Sequence, residues 1–289
     1  MKILVLGGSG LVGSRFLELT ADYNTVAPTH EELDLLDFVH LESYLQRSDA
    51  DIVLNFAAFT NVDEVEKEKD NKEGLVYKLN VKLPKYLAQN CSSLNKYLIH
   101  ISTDYVFEGK KQTPYVESDV PNPVNWYGTT KLLGEDEVRD VSSEFLVVRP
   151  EMPYSAHFDR KLDIARVFLK MLKEGKEING VSDQKITPTF VDTLIYGLLR
   201  LIEAKAGGIY HLASTDSTTP YDFAVMVAQK FGLDEKLVKP VAFEEYNKTR
   251  TAKRPQNSYL DVSKFEGEFG SGILKSVSES VDELKKQMG

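Results

Sequence analysis

The sequence predicts an α/β protein built on a doubly wound parallel sheet. Three observations support this prediction: a short apolar run near the N-terminus ends in a cluster of glycines, similar runs recur through the first half, and stretches with helical spacing separate them. Alternating strands and helices of this kind form a parallel sheet covered on both faces. Ligands bind such sheets at the carboxyl ends of the strands.

The N-terminal run and its glycines predict a dinucleotide-binding, Rossmann-type turn. Residues 3–6 are apolar on both faces, as a buried parallel strand requires, and glycines follow at positions 7, 10 and 13. The first glycine permits a tight turn, the second lets a diphosphate approach, and the third lets the helix predicted over 11–19 pack closely. Free amides at that helix start would face the phosphates. The predicted cofactor contacts are Gly7, Gly10, Leu11, Val12 and Gly13.

The end of the predicted second strand, 25–28, bears on the choice of cofactor. An acidic residue there would accept hydrogen bonds from the ribose of NAD. Thr29 and His30 follow instead. We therefore expect NADPH, with NADH as the alternative because acidic residues lie close by at 31, 32 and 34.

Two further segments offer cofactor contacts. Asp37 precedes a helix predicted over 38–46, where it is either an adenine contact or a simple N-cap. The third strand, 51–55, is followed by Ala57 and Ala58, which are small enough to let a cofactor lie against the backbone.

The candidate chemistry lies after the fourth strand, 97–101. Thr103 follows that strand, either to hydrogen-bond a carbonyl held over the cofactor or to end the strand in a turn. Tyr127 and Lys131 are four residues apart and would share one helix face. A lysine there would favour the phenolate and so lower the pKa of the tyrosine.

Composition excludes several classes of protein. The chain has 289 residues, 42% of them hydrophobic and 27% charged, as in soluble globular proteins. Its net charge of -9 offers no general basic surface for nucleic acid or anionic lipid, so we expect a small-molecule partner. Cys91 is the single cysteine, no apolar stretch is long enough for a membrane span, and no metal-ligand cluster is apparent. The cytoplasm is the expected location.

The motifs together resemble a known family. They are the glycine turn, Asn55–Asp63, Ser102–Phe107, Tyr127–Lys131 and Arg254–Ser258, of which the Ser-Thr-Asp-Tyr-Val-Phe run is the most specific. The chain resembles the extended short-chain dehydrogenase/reductases, and within them the dTDP-4-dehydrorhamnose reductases. The resemblance implies NAD(P)H-dependent reduction of the 4-keto group of a nucleotide-activated 6-deoxy sugar, most simply dTDP-4-dehydrorhamnose to dTDP-L-rhamnose.

The resemblance also implies residue roles. Tyr127 would give a proton to the keto oxygen, Lys131 would hold the nicotinamide ribose, and Thr103 would hydrogen-bond the carbonyl. Asn80 matches an asparagine behind the site, with a part in helix packing equally open. The predicted substrate contacts are Asp104 and Arg254, together with Met152, at the position of a family aromatic, and Trp126, which would replace that aromatic surface.

The substrate half departs from the family pattern. Met152 stands where the reductases carry a tryptophan, and Glu151 adds a carboxylate beside it. An Asn-Phe pair of the family is also hard to find in 158–161. Two alternatives follow: a reductase acting on another nucleotide sugar, or a non-catalytic NADP-binding subunit similar to the regulatory β subunit of methionine adenosyltransferase.

The predicted organisation is a dinucleotide-binding domain followed by a smaller, discontinuous substrate lobe. Residues 1–150 form the domain, and 189–213 return to it. The lobe comprises 151–188 and 214–289, including helices predicted over 162–173, 221–231 and 277–288. A homodimer is a further expectation that the sequence does not decide.

Overall fold

The computed structural model describes residues 1–141, 144–158 and 160–289. A six-stranded sheet has the order β2-β1-β3-β4-β5-β7, and every pairing in it is parallel. Its strands are β1 (Lys2–Leu6), β2 (Asn24–Val26), β3 (Ile52–Asn55), β4 (Tyr97–Ile101), β5 (Phe145–Arg149) and β7 (Gly208–His211). The predicted α/β class with a parallel sheet is confirmed.

Helices cover both faces of this sheet. They are α1 (Leu11–Leu19), α2 (Phe38–Arg47), α3 (Val62–Lys67), α4 (Leu75–Tyr77), α5 (Leu83–Ser93), α6 (Trp126–Val141), α7 (Ile164–Lys173), α8 (Val191–Ala204), α9 (Pro220–Phe231), α10 (Phe243–Lys248), α11 (Ser263–Phe269) and α12 (Val277–Met288). A π-helical segment, Lys78–Lys82, joins α4 to α5. Three-residue 3₁₀ turns occur at Asp104–Val106 and Glu235–Leu237.

Strand periodicity explains why two hydrophobic cores flank the sheet. Successive side chains of a strand point to opposite faces. Ile3 and Val5 of β1 lie in a core shared with α8, whereas Leu4 and Leu6 lie in a core shared with α2 and α5. The strand is therefore apolar throughout because both of its faces are buried.

A third core and a second sheet lie in the later part of the chain. Tyr154, Phe168, Phe223 and Val281 pack together in this core. Beside it, β6 (Ile178–Val181) and β8 (Val238–Val241) form a two-stranded parallel sheet that the sequence did not predict. This core supports the predicted lobe, but the division of the chain into two domains stays a prediction.

The segment containing α11 bears on the boundary of that lobe. Leu260, Phe265 and Leu274 belong to the core on the α8 face of the main sheet. Residues 260–274 therefore pack against the predicted dinucleotide-binding domain, whereas other parts of 214–289 belong to the third core. Among the described residues, no helix combines the length and apolar character needed to cross a bilayer.

Candidate functional site

A cavity of about 530 Å³ opens at the carboxyl ends of the sheet strands. One wall is the start of α1, and another is formed by Phe158 and residues 160–164. The strand ends and α6 form its floor. Ten predicted site residues line it: Gly10, Leu11, Val12, Gly13, Ala58, Thr103, Asp104, Tyr127, Lys131 and Met152.

The glycine turn is shaped to receive an anion. Gly7 has a φ of +77°, and a Cβ on Gly13 would lie 2.4 Å from the Gly7 carbonyl oxygen. Only glycine therefore fits this close approach of turn and helix. Gly10 caps α1 without a side-chain hydrogen bond, so the first amides of the helix remain available to a ligand. The turn thus fits a cofactor diphosphate.

Tyr127 and Thr103 meet on the cavity floor. Both side chains line the cavity, and the Tyr127 ring packs edge-on against Tyr105 at a centroid distance of 5.6 Å. Burial raises the pKa of Tyr127, and this outweighs the lowering by the Thr103 hydrogen bond. Because its pKa is raised, the Tyr127 phenol stays protonated at neutral pH and is a proton donor rather than a base.

Lys131 lies one turn along α6 and is also buried. Its Nζ donates to the Ile101 carbonyl oxygen at 2.7 Å and lies 3.4 Å from His100 Nε2. Burial lowers the pKa of Lys131 to about 8. The prediction that this lysine lowers the pKa of Tyr127 is not met, because desolvation dominates both groups and Lys131 is directed towards β4.

Sequence reasoning missed the two residues behind Lys131. Asn55 accepts a hydrogen bond from the Ala57 amide at 3.0 Å, so its Nδ2 is the atom that donates to His100 Nδ1, at 3.2 Å. A neutral His100 then carries its hydrogen on Nε2, which faces Lys131. The two residues tie the Ala57 loop to the lysine. Polar side chains inside apolar strands were the sequence signal.

Asn80 fixes another part of the cavity floor. Its Oδ1 accepts from the Phe59 amide at 2.8 Å, and its Nδ2 donates to the Phe59 carbonyl oxygen and to Thr130 Oγ1, each at 3.1 Å. The side chain is fully buried. Asn80 therefore joins the loop after β3 to α6, next to Tyr127.

Five predicted site residues lie outside the cavity lining. Asp37 accepts from the His40 amide as the N-cap of α2, and Trp126 is buried against Val65 and Val76. Arg254 forms a bidentate ion pair with Asp63, with hydrogen bonds of 3.1 and 2.8 Å. These placements do not support adenine or substrate contacts for the three residues. The other two, Gly7 and Ala57, shape the backbone beside the cavity.

The wall formed by Phe158 and residues 160–164 contains cations that sequence reasoning did not assign. Arg160 and Lys161 line the cavity, and Arg160 lies 3.4 Å from the Ser9 carbonyl oxygen of the glycine turn. Consecutive cations on an acidic chain were the available signal. Residue 159, part of the segment that departs from the family pattern, lies outside the described residues.

Met152 has an unusual backbone conformation. Its φ of 43° lies in the left-handed region, which a residue with a long side chain seldom adopts. Strained residues of this kind concentrate at ligand sites, where the surrounding structure holds them. The conformation turns the chain at the cavity wall immediately after Glu151.

Comparison with known proteins assigns the family. Residues 1–288 match the family described as the RmlD substrate binding domain. The chain belongs to the RmlD family. A probable low-salt glycan biosynthesis reductase of Haloferax volcanii is 32% identical over 284 residues and 93% of each chain. A dTDP-4-dehydrorhamnose reductase of Escherichia coli is 30% identical over 282 residues, 93% of this chain and 92% of the relative.

Solved RmlD-family structures share this fold across their length. A dTDP-4-dehydrorhamnose reductase from Clostridium acetobutylicum superposes with a TM-score of 0.90 at 30% identity, over 99% of each chain. The Bacillus anthracis reductase in complex with NADP has a TM-score of 0.90 at 27% identity, over 99% of this chain and 100% of that one. The resemblance stated from the motifs is confirmed.

Proposed function

We propose that this RmlD-family chain is an NADPH-dependent reductase of a nucleotide-activated 4-keto-6-deoxy sugar, most simply one that converts dTDP-4-dehydrorhamnose to dTDP-L-rhamnose. One observation carries the proposal: Tyr127, Thr103 and Lys131 share a cavity with an uncapped glycine turn. One cavity thus contains both a proton donor for a carbonyl oxygen and a turn that fits the diphosphate of a dinucleotide.

The cofactor would lie between the glycine turn and Lys131. Gly10, Leu11, Val12 and Gly13 would hold the diphosphate, and Lys131 the nicotinamide ribose. Bound NADPH supplies the hydride. The choice of NADPH is supported by the NADP complex of the Bacillus anthracis relative. In addition, Glu32 is engaged by the Thr29 amide at 2.8 Å rather than held free for a ribose.

Tyr127 would donate the proton that completes the reduction. Because burial raises its pKa, the phenol is protonated before reaction, and the keto oxygen becomes basic as hydride reaches the neighbouring carbon. Lys131 would take part by holding the nicotinamide ribose, since its ammonium donates to the Ile101 carbonyl oxygen rather than to the phenol. Burial keeps competing water away from both side chains.

The substrate would occupy the part of the cavity next to Met152. Asp104 and Met152 remain the proposed contacts from the sequence, and Arg160 and Lys161 are added because they place positive charge near the expected diphosphates. Arg254 is not used, because Asp63 already neutralises it.

Turnover and a matched pair of variants test the proposal. Purified protein should oxidise NADPH only when the keto sugar is present. Tyr127→Phe should lower kcat by at least about 10²-fold, since it removes a general acid, while the Kd for NADPH changes less than about twofold. Tyr86→Phe is the control, because Tyr86 bonds the Phe38 carbonyl oxygen outside the cavity. Full activity in Tyr127→Phe would refute the assigned donor.

Met152 is the observation that favours two alternatives, whereas the intact set of Thr103, Tyr127 and Lys131 counts against a non-catalytic subunit. It lines the cavity where the family pattern has tryptophan, so the sugar surface differs. Turnover on another nucleotide keto sugar, but not on the dTDP compound, would establish the different substrate. NADPH binding without turnover on any such sugar would establish the non-catalytic subunit.

A further inference from the structure

Asp104 and Glu151 form a buried carboxyl pair at the edge of the site. They follow β4 and β5, which are neighbours in the sheet, and each side chain is at most 3% exposed. Asp104 lines the cavity, whereas Glu151 lies behind it. Burial raises the pKa of both carboxyls, and the charge of Asp104 raises that of Glu151 further; hydroxyl and amide donors lower both. Because the repulsion between two charges is reciprocal, an ionised Glu151 also raises the pKa of Asp104.

The hydrogen-bond donors are divided unequally between the two carboxyls. Glu151 Oε2 accepts from the Thr187 amide at 2.6 Å and from the Thr187 hydroxyl, and Oε1 accepts from Ser258 Oγ at 2.8 Å. Asp104 Oδ1 accepts from Thr103 Oγ1 at 2.9 Å, and its Oδ2 receives no donor from the described residues. Ser258 lies near both carboxyls but has one hydrogen to give.

This division decides where a shared proton belongs. Three donors stabilise an ionised Glu151, whereas an ionised Asp104 would leave a buried oxygen unsatisfied. Burial raises the pKa of Asp104 to about 7 and that of Glu151 to about 8, and such values describe the pair as a whole. At neutral pH the pair therefore retains at least one proton. Glu151 has the higher of the two values, but the unequal supply of donors places the shared proton on Asp104.

The proton on Asp104 controls what Thr103 can do. When Asp104 is ionised, the single Thr103 hydrogen points to Asp104 Oδ1, while the Tyr105 amide donates to Thr103 Oγ1. The Thr103 hydroxyl then has no hydrogen left to donate to a substrate carbonyl. When Asp104 is protonated, it donates to Thr103, whose own hydrogen is free to turn into the cavity.

We propose that Glu151 is a positioning residue that keeps a proton on Asp104 and thereby directs the Thr103 hydroxyl towards the keto oxygen. The inference rests on the proposed function, because that carbonyl is the one being reduced. It gives Glu151, a departure from the family pattern, a part in the reaction without substrate contact.

The neighbouring titratable groups do not replace this proton. The phenols of Tyr105 and Tyr127 face Asp104, and its charge raises the pKa of each, so both stay neutral. Arg254 acts on Tyr105 but is paired with Asp63. Loss of the proton from the carboxyl pair with rising pH therefore turns Thr103 away from the substrate.

Carbon-13 NMR of labelled carboxyl groups tests the pair without any substrate. In the ligand-free protein Asp104 should titrate well above pH 6, and Glu151→Gln should lower its pKa by at least about one unit because the neighbouring charge is gone. In Asp104→Asn, the pKa of Glu151 should fall for the same reason. Glu117→Gln, which alters a partly buried carboxyl bonded to the His211 amide, is the control and should leave Asp104 unchanged.

Kinetics then test the direction of Thr103. Glu151→Gln should lower kcat at pH 7.5 by roughly tenfold, which corresponds to one unit in the Asp104 pKa. Adding Asp104→Asn should raise kcat at least about threefold above that of Glu151→Gln, because the amide donates to Thr103 at every pH. KM should change little, since Glu151 does not line the cavity.

The outcomes separate the two proposals. An Asp104 signal that titrates near the ordinary value of about 4, or that ignores Glu151→Gln, overturns the inference even if the enzyme is fully active. Absence of turnover in wild type, with the carboxyl titrations as expected, overturns the proposed function alone. Failure of the double variant to regain activity lost in Glu151→Gln overturns the directing role of Asp104.

Discussion

Replacing Asn80 with alanine removes the side chain that ties the loop after β3 to α6. Three hydrogen bonds disappear, two of them to the backbone of Phe59 and one to Thr130 Oγ1. Each lost bond costs about 1 kcal/mol, and partly buried groups left without a partner cost the same or more. We expect the free energy of unfolding to fall by about 2–4 kcal/mol.

Urea denaturation monitored by circular dichroism measures this loss. Asn90→Ala is the matched control, because Asn90 makes one bond, of 2.9 Å, to the Tyr86 carbonyl oxygen within α5. That oxygen precedes it by four residues and is already bonded in the helix, so the control should cost under about 1 kcal/mol. Equal losses in the two variants would refute the assigned role of Asn80.

Two further predictions concern the cofactor side. Lys131→Met should remove activity but raise the free energy of unfolding at pH 7 by up to about 3 kcal/mol. The pKa of Lys131 is lower in the folded protein than in the unfolded chain, so its protonation costs stability below about pH 8. Urea titrations should show this gain shrinking towards pH 10, and a constant gain would contradict it. Gly13→Ala should weaken NADPH binding at least about tenfold by overpacking the turn. Gly267→Ala, whose added Cβ would have no atom within 4 Å, is the control and should leave NADPH binding unchanged. Calorimetric titration with NADPH compares the two variants.

The first half of the fold was predictable because its strands are buried on both faces and separated by helices. The predicted fourth strand, 97–101, matches β4, and the predicted helix at 11–19 matches α1. The pair β6 and β8 could not be found in this way. Both strands have four residues, Gly180 and Pro240 interrupt them, and their pairing joins segments about 60 positions apart.

The site was predictable where chemistry depends on local spacing. Tyr127 and Lys131 share a helix face, and Thr103 reaches them from a neighbouring strand end. Arg254 was different, because its partner Asp63 lies 191 residues away in the chain. No local pattern indicates that a basic residue is already neutralised, and none indicates that Glu151 and Asp104 meet.

The π-helical segment Lys78–Lys82 limits how this protein can be redesigned. It contains one residue more than a regular helix would need, and Asn80 lies within it. Deleting one residue there would close the wide turn into a regular α-helix, but the side chains within that turn, including Asn80, would change direction. A redesign that straightens this helix for thermal stability would therefore detach the loop after β3 from α6.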